Sequence, residues 1–131
     1  MKKVFISGVF DCFHDGHRHL LREAAKLGEL HISINDDAYV RRRKGEGRPR
    51  DHLNVRVENV KRFVQAYVYI LDKDTPIDLI LTIKPDYLVV GDDYKTDGIV
   101  GLKEGQAWGC SSVIVPRIGG ISTTNILKGQ L

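Results

Sequence analysis

Short apolar runs alternate with amphipathic stretches along this chain. An apolar run at 4–7 is followed by an amphipathic stretch at 17–27 and by a second apolar run at 31–34. A buried strand is short and continuously apolar, whereas a helix repeats its apolar side chains about every 3.6 residues on one face. The pattern therefore predicts a strand, a helix and a second strand, which together form a βαβ unit.

The same alternation continues through the rest of the sequence. Helices are predicted at 53–64, 77–83, 100–108 and 122–128, and strands at 67–71, 87–90 and 112–115. Thr75 is predicted to cap the helix at 77–83, with Pro76 at its first position, because a threonine hydroxyl accepts a hydrogen bond from the first turn and proline is tolerated there. The polar residues at 91–98 predict a loop.

Strands that alternate with helices indicate a parallel sheet, because parallel neighbours need crossover connections that lay helices over the sheet. The predicted fold class is α/β, with a doubly wound, Rossmann-like parallel sheet of five strands and helices on both faces. The chain has 131 residues, of which 42% are hydrophobic and 28% charged. This size and composition predict one domain, spanning 1–131.

Composition also bears on the cellular location. No apolar run approaches the ~20 residues that span a bilayer, and no small-residue cleavage site follows the apolar stretch near the amino terminus. We therefore expect a cytoplasmic protein without membrane insertion. The two cysteines, Cys12 and Cys110, form no CxxC pair, which argues against a disulfide scaffold or a zinc knuckle.

The positive charge is concentrated in one short stretch. The net charge is +3, and the stretch at 41–50 contains six basic residues, Arg41, Arg42, Arg43, Lys44, Arg48 and Arg50. We interpret it as a flexible basic loop that binds an anion. A solvated charge run or a nucleic-acid patch is the alternative, although nucleic-acid binding is disfavoured because aromatic stacking partners are missing nearby.

Two histidines lie at the entrance to the first predicted helix. In a doubly wound sheet, ligands bind outside the carboxyl ends of the strands, and His14 and His17 follow the first strand. Backbone N–H groups and the helix dipole favour phosphate there, and imidazoles add donors. Gly8 and Gly16 allow close approach of the backbone. The alternatives are ordinary polar residues at a helix cap, or a zinc site, which lacks an obvious third ligand.

A second cluster of hydroxyl and N–H groups follows the last predicted strand. It contains Arg117, two glycines at 119–120, and the hydroxyl residues Ser122 and Thr123. A simple helix cap is the alternative for either hydroxyl. The arginine and the glycines favour phosphate binding.

These two segments together resemble the nucleotidyltransferase superfamily. The sequence Gly-Val-Phe-Asp at 8–11, followed by His-Asp-Gly-His at 14–17, is similar to the first signature of that superfamily, and Ile-Ser-Thr-Thr at 121–124 is similar to the last. Val9 stands where the superfamily usually has threonine, and Asn54 where it has an acidic residue. The resemblance covers nearly the whole chain.

The resemblance implies roles for particular residues. The catalytic residues it implies are His14, His17 and Lys44. The nucleotide-binding residues are Gly8, Val9, Phe10, Asp11, Gly16, Arg56, Gly91, Asp92, Arg117, Gly120, Ile121, Ser122, Thr123 and Thr124. The acceptor-binding residues are Asp37, Asp93 and Tyr94. The expected cofactor is Mg²⁺, because a triphosphate needs its charge offset, and Asp11 is a weak candidate ligand.

The resemblance also implies partners, and it leaves alternatives open. Much of the middle of the chain resembles heptose 1-phosphate adenylyltransferase domains, which use ATP. The segments at 91–93 and 116–124 resemble glycerol-3-phosphate cytidylyltransferase, which uses CTP. We expect a nucleoside triphosphate and a sugar or polyol phosphate as substrates, no nucleic acid, and a homodimer. A non-catalytic nucleotide-binding or RNA-binding module is the alternative of another class.

Overall fold

A computed structural model describes residues 1–92 and 98–117 of the chain. Its five strands are β1 (Lys3–Gly8), β2 (Glu29–Asn35), β3 (Tyr67–Leu71), β4 (Tyr87–Gly91) and β5 (Ser111–Val115). They form one parallel sheet in the order β3-β2-β1-β4-β5. The helices are α1 (Asp15–Ala25), α2 (Asp37–Lys44), α3 (Leu53–Phe63), α4 (Ile77–Ile83) and α5 (Leu102–Gly105), and a 3₁₀ helix covers Gln106–Trp108.

Two apolar cores cover the two faces of the sheet. Successive side chains of a strand point to opposite faces. On β1, Ile6 packs into a core with residues of α1 and α3, among them Leu21 and Val60. Its neighbour Phe5 packs into a second core with Ile80 of α4. This arrangement confirms the predicted doubly wound α/β class.

Burial explains why the central strands are so apolar. Every residue of β2 from Leu30 to Asn35 is buried, as expected for a parallel strand with structure on both faces. The polar side chains Ser33 and Ser7, on neighbouring strands, satisfy each other through a 2.7 Å hydrogen bond. The carboxyl ends of the strands are thereby held on a rigid frame.

The basic stretch begins in a helix, and the interpretation of 41–50 as a loop was wrong for its first four residues. Helix α2 extends through Lys44, and the turn begins at Gly45. Asp36 caps the helix by accepting a 2.9 Å hydrogen bond from the backbone N–H of Tyr39. Only Val40 of this helix is buried, so the sequence carries no apolar stripe from which the helix is predicted.

One smaller difference concerns the start of α4. Pro76 is the N-cap residue of α4, and Thr75 stands one position earlier, where its hydroxyl accepts a 3.4 Å hydrogen bond from Ile77 N. The predicted helix at 122–128 lies outside the described residues.

Among the helices of the described ranges, none has both the length and the apolar character needed to cross a bilayer.

Candidate active site

The sheet order reverses beside β1, which pairs with β2 on one side and with β4 on the other. The connections leaving these strands diverge at that point, and the carboxyl ends of the strands frame a crevice. The turn between β1 and α1 lies there, as predicted from the sequence.

The turn after β1 has an unusual backbone. Phe10 and Cys12 adopt left-handed conformations, with φ angles of 56° and 51°, which non-glycine residues rarely do. Such residues concentrate at functional sites, where the surrounding structure holds them in place. The Phe10 ring packs so closely on Gly8 that a Cβ atom there would lie 2.9 Å from it. Gly8 is therefore required for the shape of the turn.

His14 and His17 form a reciprocal cap at the start of α1. His14 Nδ1 accepts hydrogen bonds from the backbone N–H groups of Gly16 (3.0 Å) and His17 (3.4 Å), and His17 Nδ1 accepts one from His14 N (3.2 Å). The two rings stack with 3.7 Å between centroids. Because each Nδ1 accepts, the proton of each neutral ring lies on Nε2, which is then a donor.

Both histidines are neutral near neutral pH. The pKa of His17 is lowered to about 3, mainly by burial and in part by the neighbouring His14, Arg18 and Lys44, against the opposing effect of Asp11. Burial also lowers the pKa of His14, with a second contribution from Arg18. Both rings are therefore uncharged, with the proton on Nε2.

Asp11 fixes the end of the basic stretch to this turn. Its carboxylate is 1% exposed and accepts hydrogen bonds from the backbone N–H groups of Cys12 (3.0 Å), Arg50 (2.8 Å) and Asp51 (2.9 Å). This geometry gives Asp11 a role in positioning the loop. Its predicted contacts with nucleotide and metal stay predictions, and no group of three or more His, Cys, Asp or Glu side chains suited to a metal occurs in the described part of the chain.

Lys44, the last residue of α2, lies near the same turn. Burial lowers its pKa, with a further lowering by the positive charge of Arg48 and an opposing effect of Asp11. Lys44 in turn lowers the pKa of His17. The structure therefore brings all three predicted catalytic residues into one neighbourhood, although they are separated by about a quarter of the chain.

Arg56 is a buried cross-link between segments. It is completely buried, and its guanidinium donates to the carbonyl oxygens of Asp51 (3.0 Å), Val9 (2.9 Å) and Asn35 (2.8 Å) and to Asp37 Oδ1 (2.6 Å). A phosphate contact was predicted for this residue. With its donors turned to protein acceptors, Arg56 acts in this structure as a positioning residue, and the phosphate contact stays a prediction.

Asp37, predicted to bind the acceptor, is the carboxylate partner of Arg56. Burial alone raises the pKa of Asp37, but hydrogen bonds from Arg56, the backbone of Leu53 and His52 outweigh it and hold the pKa below its usual value. The His52 Nδ1 atom lies 3.4 Å from Asp37 Oδ2. The carboxylate is therefore ionised and held in place.

A second ion pair joins the carboxyl ends of β4 and β5. Arg117 donates from its backbone N to Asp92 Oδ2 (3.0 Å) and from Nε to Asp92 Oδ1 (2.8 Å). The backbone hydrogen bond is the largest cause of the low pKa of Asp92. Gly91 ends β4 beside this pair. The other predicted residues in these two segments lie outside the described residues: Asp93, Tyr94, Gly120, Ile121, Ser122, Thr123 and Thr124.

A cavity of about 470 Å³ opens next to the β1 turn. Gly8 and Val9 line it, so the cavity adjoins the turn that leads to the histidines. Its polar lining comes from four different segments and comprises Ser7, Asn35, Tyr39, Arg43, Lys44 and Asp74. Ser7 and Asp74 were not among the predicted site residues. Ser7 is the last residue but one of β1 and Asp74 stands three residues after β3, so nearness to the carboxyl end of a strand was the available signal.

Comparison with known proteins places the chain among characterised sequences. A sequence model described as cytidylyltransferase-like matches residues 5–129. The chain is 40% identical over 132 residues to the bifunctional protein HldE of Gluconobacter oxydans, covering 98% of this chain and 27% of that protein. It is 39% identical over 132 residues to the bifunctional protein HldE of Geobacter sulfurreducens, covering 95% and 26%. The chain thus spans about a quarter of the length of these relatives.

Solved structures share the fold. The lipopolysaccharide core biosynthesis protein of Thermoplasma volcanium matches with a TM-score of 0.70 and 27% identity, covering 90% of this chain and 97% of that one. Pantothenate synthetase of Thermus thermophilus matches with a TM-score of 0.67 and 12% identity, covering 96% and 61%. The second likeness concerns the fold alone.

Proposed function

The chain belongs to the cytidylyltransferase-like family of nucleotidyltransferases, and from this premise we propose that it transfers a nucleotidyl group from a nucleoside triphosphate to a sugar phosphate and releases pyrophosphate. The observation that carries the proposal is the stacked pair His14 and His17 at the start of α1, with both Nδ1 atoms accepting backbone hydrogen bonds. That geometry presents donors to phosphate at a helix amino terminus. Lys44 adds a cation to the same neighbourhood.

The triphosphate is proposed to be ATP and the acceptor a heptose 1-phosphate. Three observations support this choice over CTP and glycerol 3-phosphate. The chain is about 40% identical to bifunctional HldE proteins over nearly its whole length, and its middle segments resemble heptose 1-phosphate adenylyltransferase domains. The cavity beside β1 suits a sugar, because Asn35 and Asp74 supply hydrogen-bonding groups for hydroxyls and Arg43 supplies a charge for the phosphate.

The reaction needs positioning and charge stabilisation rather than a protein nucleophile. An oxygen of the acceptor phosphate attacks the α-phosphorus, a new P–O bond forms, and the bond to the β-phosphate oxygen breaks, so that pyrophosphate carries away the electron pair. A phosphate oxygen is already a competent nucleophile. The protein holds the two phosphates in line and places donors on the oxygens where charge develops. We assign the Nε2–H groups of His14 and His17 and the ammonium of Lys44 to this task.

A divalent cation, proposed to be Mg²⁺, would offset the charge of the triphosphate. The described residues do not fit a protein-only site for it, because Asp11 is bound by three backbone N–H groups and no metal-binding cluster lies in the described ranges. Mg²⁺ commonly binds through substrate phosphates with few protein ligands. No step of the mechanism above is assigned to it.

The protein is proposed to act as a homodimer. The edge strand β3 exposes two large apolar side chains, Tyr67 at 58% and Ile70 at 59%. The unpaired N–H and C=O groups of an edge strand are a template on which another chain can pair. Light scattering on the purified chain tests the proposal: a mass of one copy would contradict it.

A pyrophosphate-release assay tests the proposed reaction. The protein is incubated with ATP or CTP and with a panel of acceptors that includes heptose 1-phosphate and glycerol 3-phosphate. We expect pyrophosphate only when a triphosphate and a phosphorylated acceptor are both present, with ATP and the heptose 1-phosphate giving the fastest release. Tight triphosphate binding without release would instead support a non-catalytic nucleotide sensor.

The His17→Ala variant tests whether the histidine pair contributes to turnover in this assay. We expect turnover at saturating substrates to fall by about 100-fold or more, since loss of one donor to a transition-state oxyanion typically has that effect. His19→Ala is the matched control, because His19 lies on the same helix but outside the cap, and it should retain wild-type turnover. A loss below about 10-fold for His17→Ala would be too small for a transition-state contact.

A further inference from the structure

Arg48 is half-buried, and two of its guanidinium nitrogens are buried without a hydrogen-bond partner. Its side chain is 17% exposed, and its Nε and Nη2 atoms are buried with no hydrogen-bond partner among the described residues. Asp11 Oδ2 lies 3.6 Å from Arg48 Nε, which is too long for a hydrogen bond. Buried polar groups in native structures are nearly always hydrogen-bonded, so these two nitrogens need an explanation.

The hydrogen bonds of two neighbouring residues, Arg56 and Asp11, differ from those of Arg48. Arg56, which is buried, donates from Nε, Nη1 and Nη2 to four protein oxygens. The carboxylate of Asp11 is beside Arg48 but already accepts three backbone hydrogen bonds, two of them from Arg50 and Asp51. Those bonds fix the loop that carries Arg48, so its position is set by the backbone.

The charges around Arg48 favour an anion. Burial lowers the pKa of Lys44, and the positive charge of Arg48 lowers it further, which shows that the two cations lie close together. Asp11 is the carboxylate that they share. His17, on which Lys44 and Asp11 both act, is neutral near neutral pH. A guanidinium with two adjacent N–H donors matches the geometry of two phosphate oxygens.

We propose that Arg48 is a phosphate-binding residue of this site, with Nε and Nη2 donating to phosphoryl oxygens of the bound triphosphate. The inference rests on the proposed function, since it takes the triphosphate as the ligand. In the proposed site, Arg48 and Lys44 supply positive charge, and the two neutral imidazoles supply hydrogen-bond donors of fixed direction.

Binding of ATP to an Arg48→Met variant, measured by calorimetry, tests the proposal. We expect the Kd for ATP to rise at least 10-fold, and the melting temperature without ligand to stay the same or rise, because two unpaired buried donors are removed. Arg62→Met is the matched control, since Arg62 lies outside the site and pairs with Glu58 at the surface. Arg48→Lys should fall between the two, because it keeps the charge but loses the paired donors.

If Arg48 only stabilised the fold, both measurements on Arg48→Met would give the opposite result. If Arg48→Met melts at a lower temperature and binds ATP like the wild type, the proposal is wrong. A measurement on the wild type covers the case in which the variant does not fold: the ¹⁵N-detected Nε–H resonance of Arg48 should shift as ATP is added, and an unchanged resonance at saturation overturns the proposal.

The two proposals fail in different ways. If the wild type shows no pyrophosphate release while the Arg48 variants lose affinity for ATP, the proposed reaction is wrong and the phosphate-binding role of Arg48 stands. If the wild type turns over and Arg48→Met binds ATP like the wild type, only the inference about Arg48 is wrong.

Discussion

At the scale of one residue, a backbone hydrogen bond fixes how the His17 side chain is oriented. Its Nδ1 accepts from His14 N at 3.2 Å, which fixes the ring orientation and the tautomer. Burial lowers its pKa to about 3. An imidazolium there would repel Lys44, whereas a neutral ring donates to a phosphate oxygen without that cost. The role that we propose for the histidine motif is therefore that of a pair of oriented donors.

The low pKa of His17 predicts a pH dependence of stability. Between pH 3 and about 6.5 the unfolded chain binds a proton at this histidine that the folded chain does not bind. The free energy of unfolding should therefore fall as the pH falls through this window, by up to about 1.4 kcal/mol per pH unit. Denaturant unfolding at pH 7 and pH 5 measures the effect.

His17→Asn isolates that contribution. An asparagine amide oxygen can accept from His14 N but does not titrate, so this variant should lose less stability between pH 7 and pH 5 than the wild type. His14, whose pKa is also lowered, still contributes in both proteins. An equal loss in the two proteins would show that His17 is not neutral in the folded state.

Single residues also mark the limit of sequence reasoning. The sequence motif located His14 and His17 correctly at a helix start, because a signature of local spacing is preserved in the local fold. It did not predict that Arg56 is buried, because three of its four acceptors belong to residues 19 to 47 positions away in the chain. One signal was available: Arg56 stands four positions before the buried Val60, on the same face of α3.

At the scale of elements, Arg56 joins α3 to β1, β2 and α2. Arg56→Met should destabilise the protein by about 3–5 kcal/mol, because it leaves Asp37 and the carbonyl groups without their buried donor. Arg62→Met is the control on the same helix, since Arg62 pairs with Glu58 at the surface and should cost about 0–1 kcal/mol. Urea denaturation compares the two. An equal loss of stability in the two variants would show that Arg56 does not cross-link these segments.

Asp11 connects the β1 turn to the loop after α2. Asp11→Ala should speed hydrogen exchange at the backbone N–H groups of Arg50 and Asp51, which donate to its carboxylate at 2.8 and 2.9 Å. It should also lower stability by about 1–3 kcal/mol, the usual effect of leaving buried donors unpaired. Asp78→Ala, at an exposed ion pair with Lys73, serves as the control and should leave those exchange rates unchanged.

The elements themselves were largely predictable, and the exception has a physical reason. The strands and most helices were predicted because each buries a long apolar face, as in β2, where every residue from Leu30 to Asn35 is buried. Helix α2 buries one residue, Val40, and carries four basic residues in its last turn. Capping by Asp36 and cations at the carboxyl end stabilise it, and neither produces a periodic pattern.

At the scale of the whole molecule, the sheet order creates the site. Reversal of strand order beside β1 brings together the turn before α1, the end of α2 and the cavity lined by Gly8, Asn35 and Asp74. The predicted phosphate contacts at Ser122 and Thr123 lie outside the described residues. Our central claim is that the two signature segments, 8–17 and 121–124, bind the same triphosphate.

A crystal structure of the protein with a non-hydrolysable ATP analogue tests that claim most directly. We expect phosphate oxygens within hydrogen-bonding distance of His14 Nε2 and His17 Nε2, with the hydroxyl groups of Ser122 and Thr123 on the same triphosphate. Phosphates bound elsewhere, with both imidazoles pointing away from those hydroxyl groups, would contradict it.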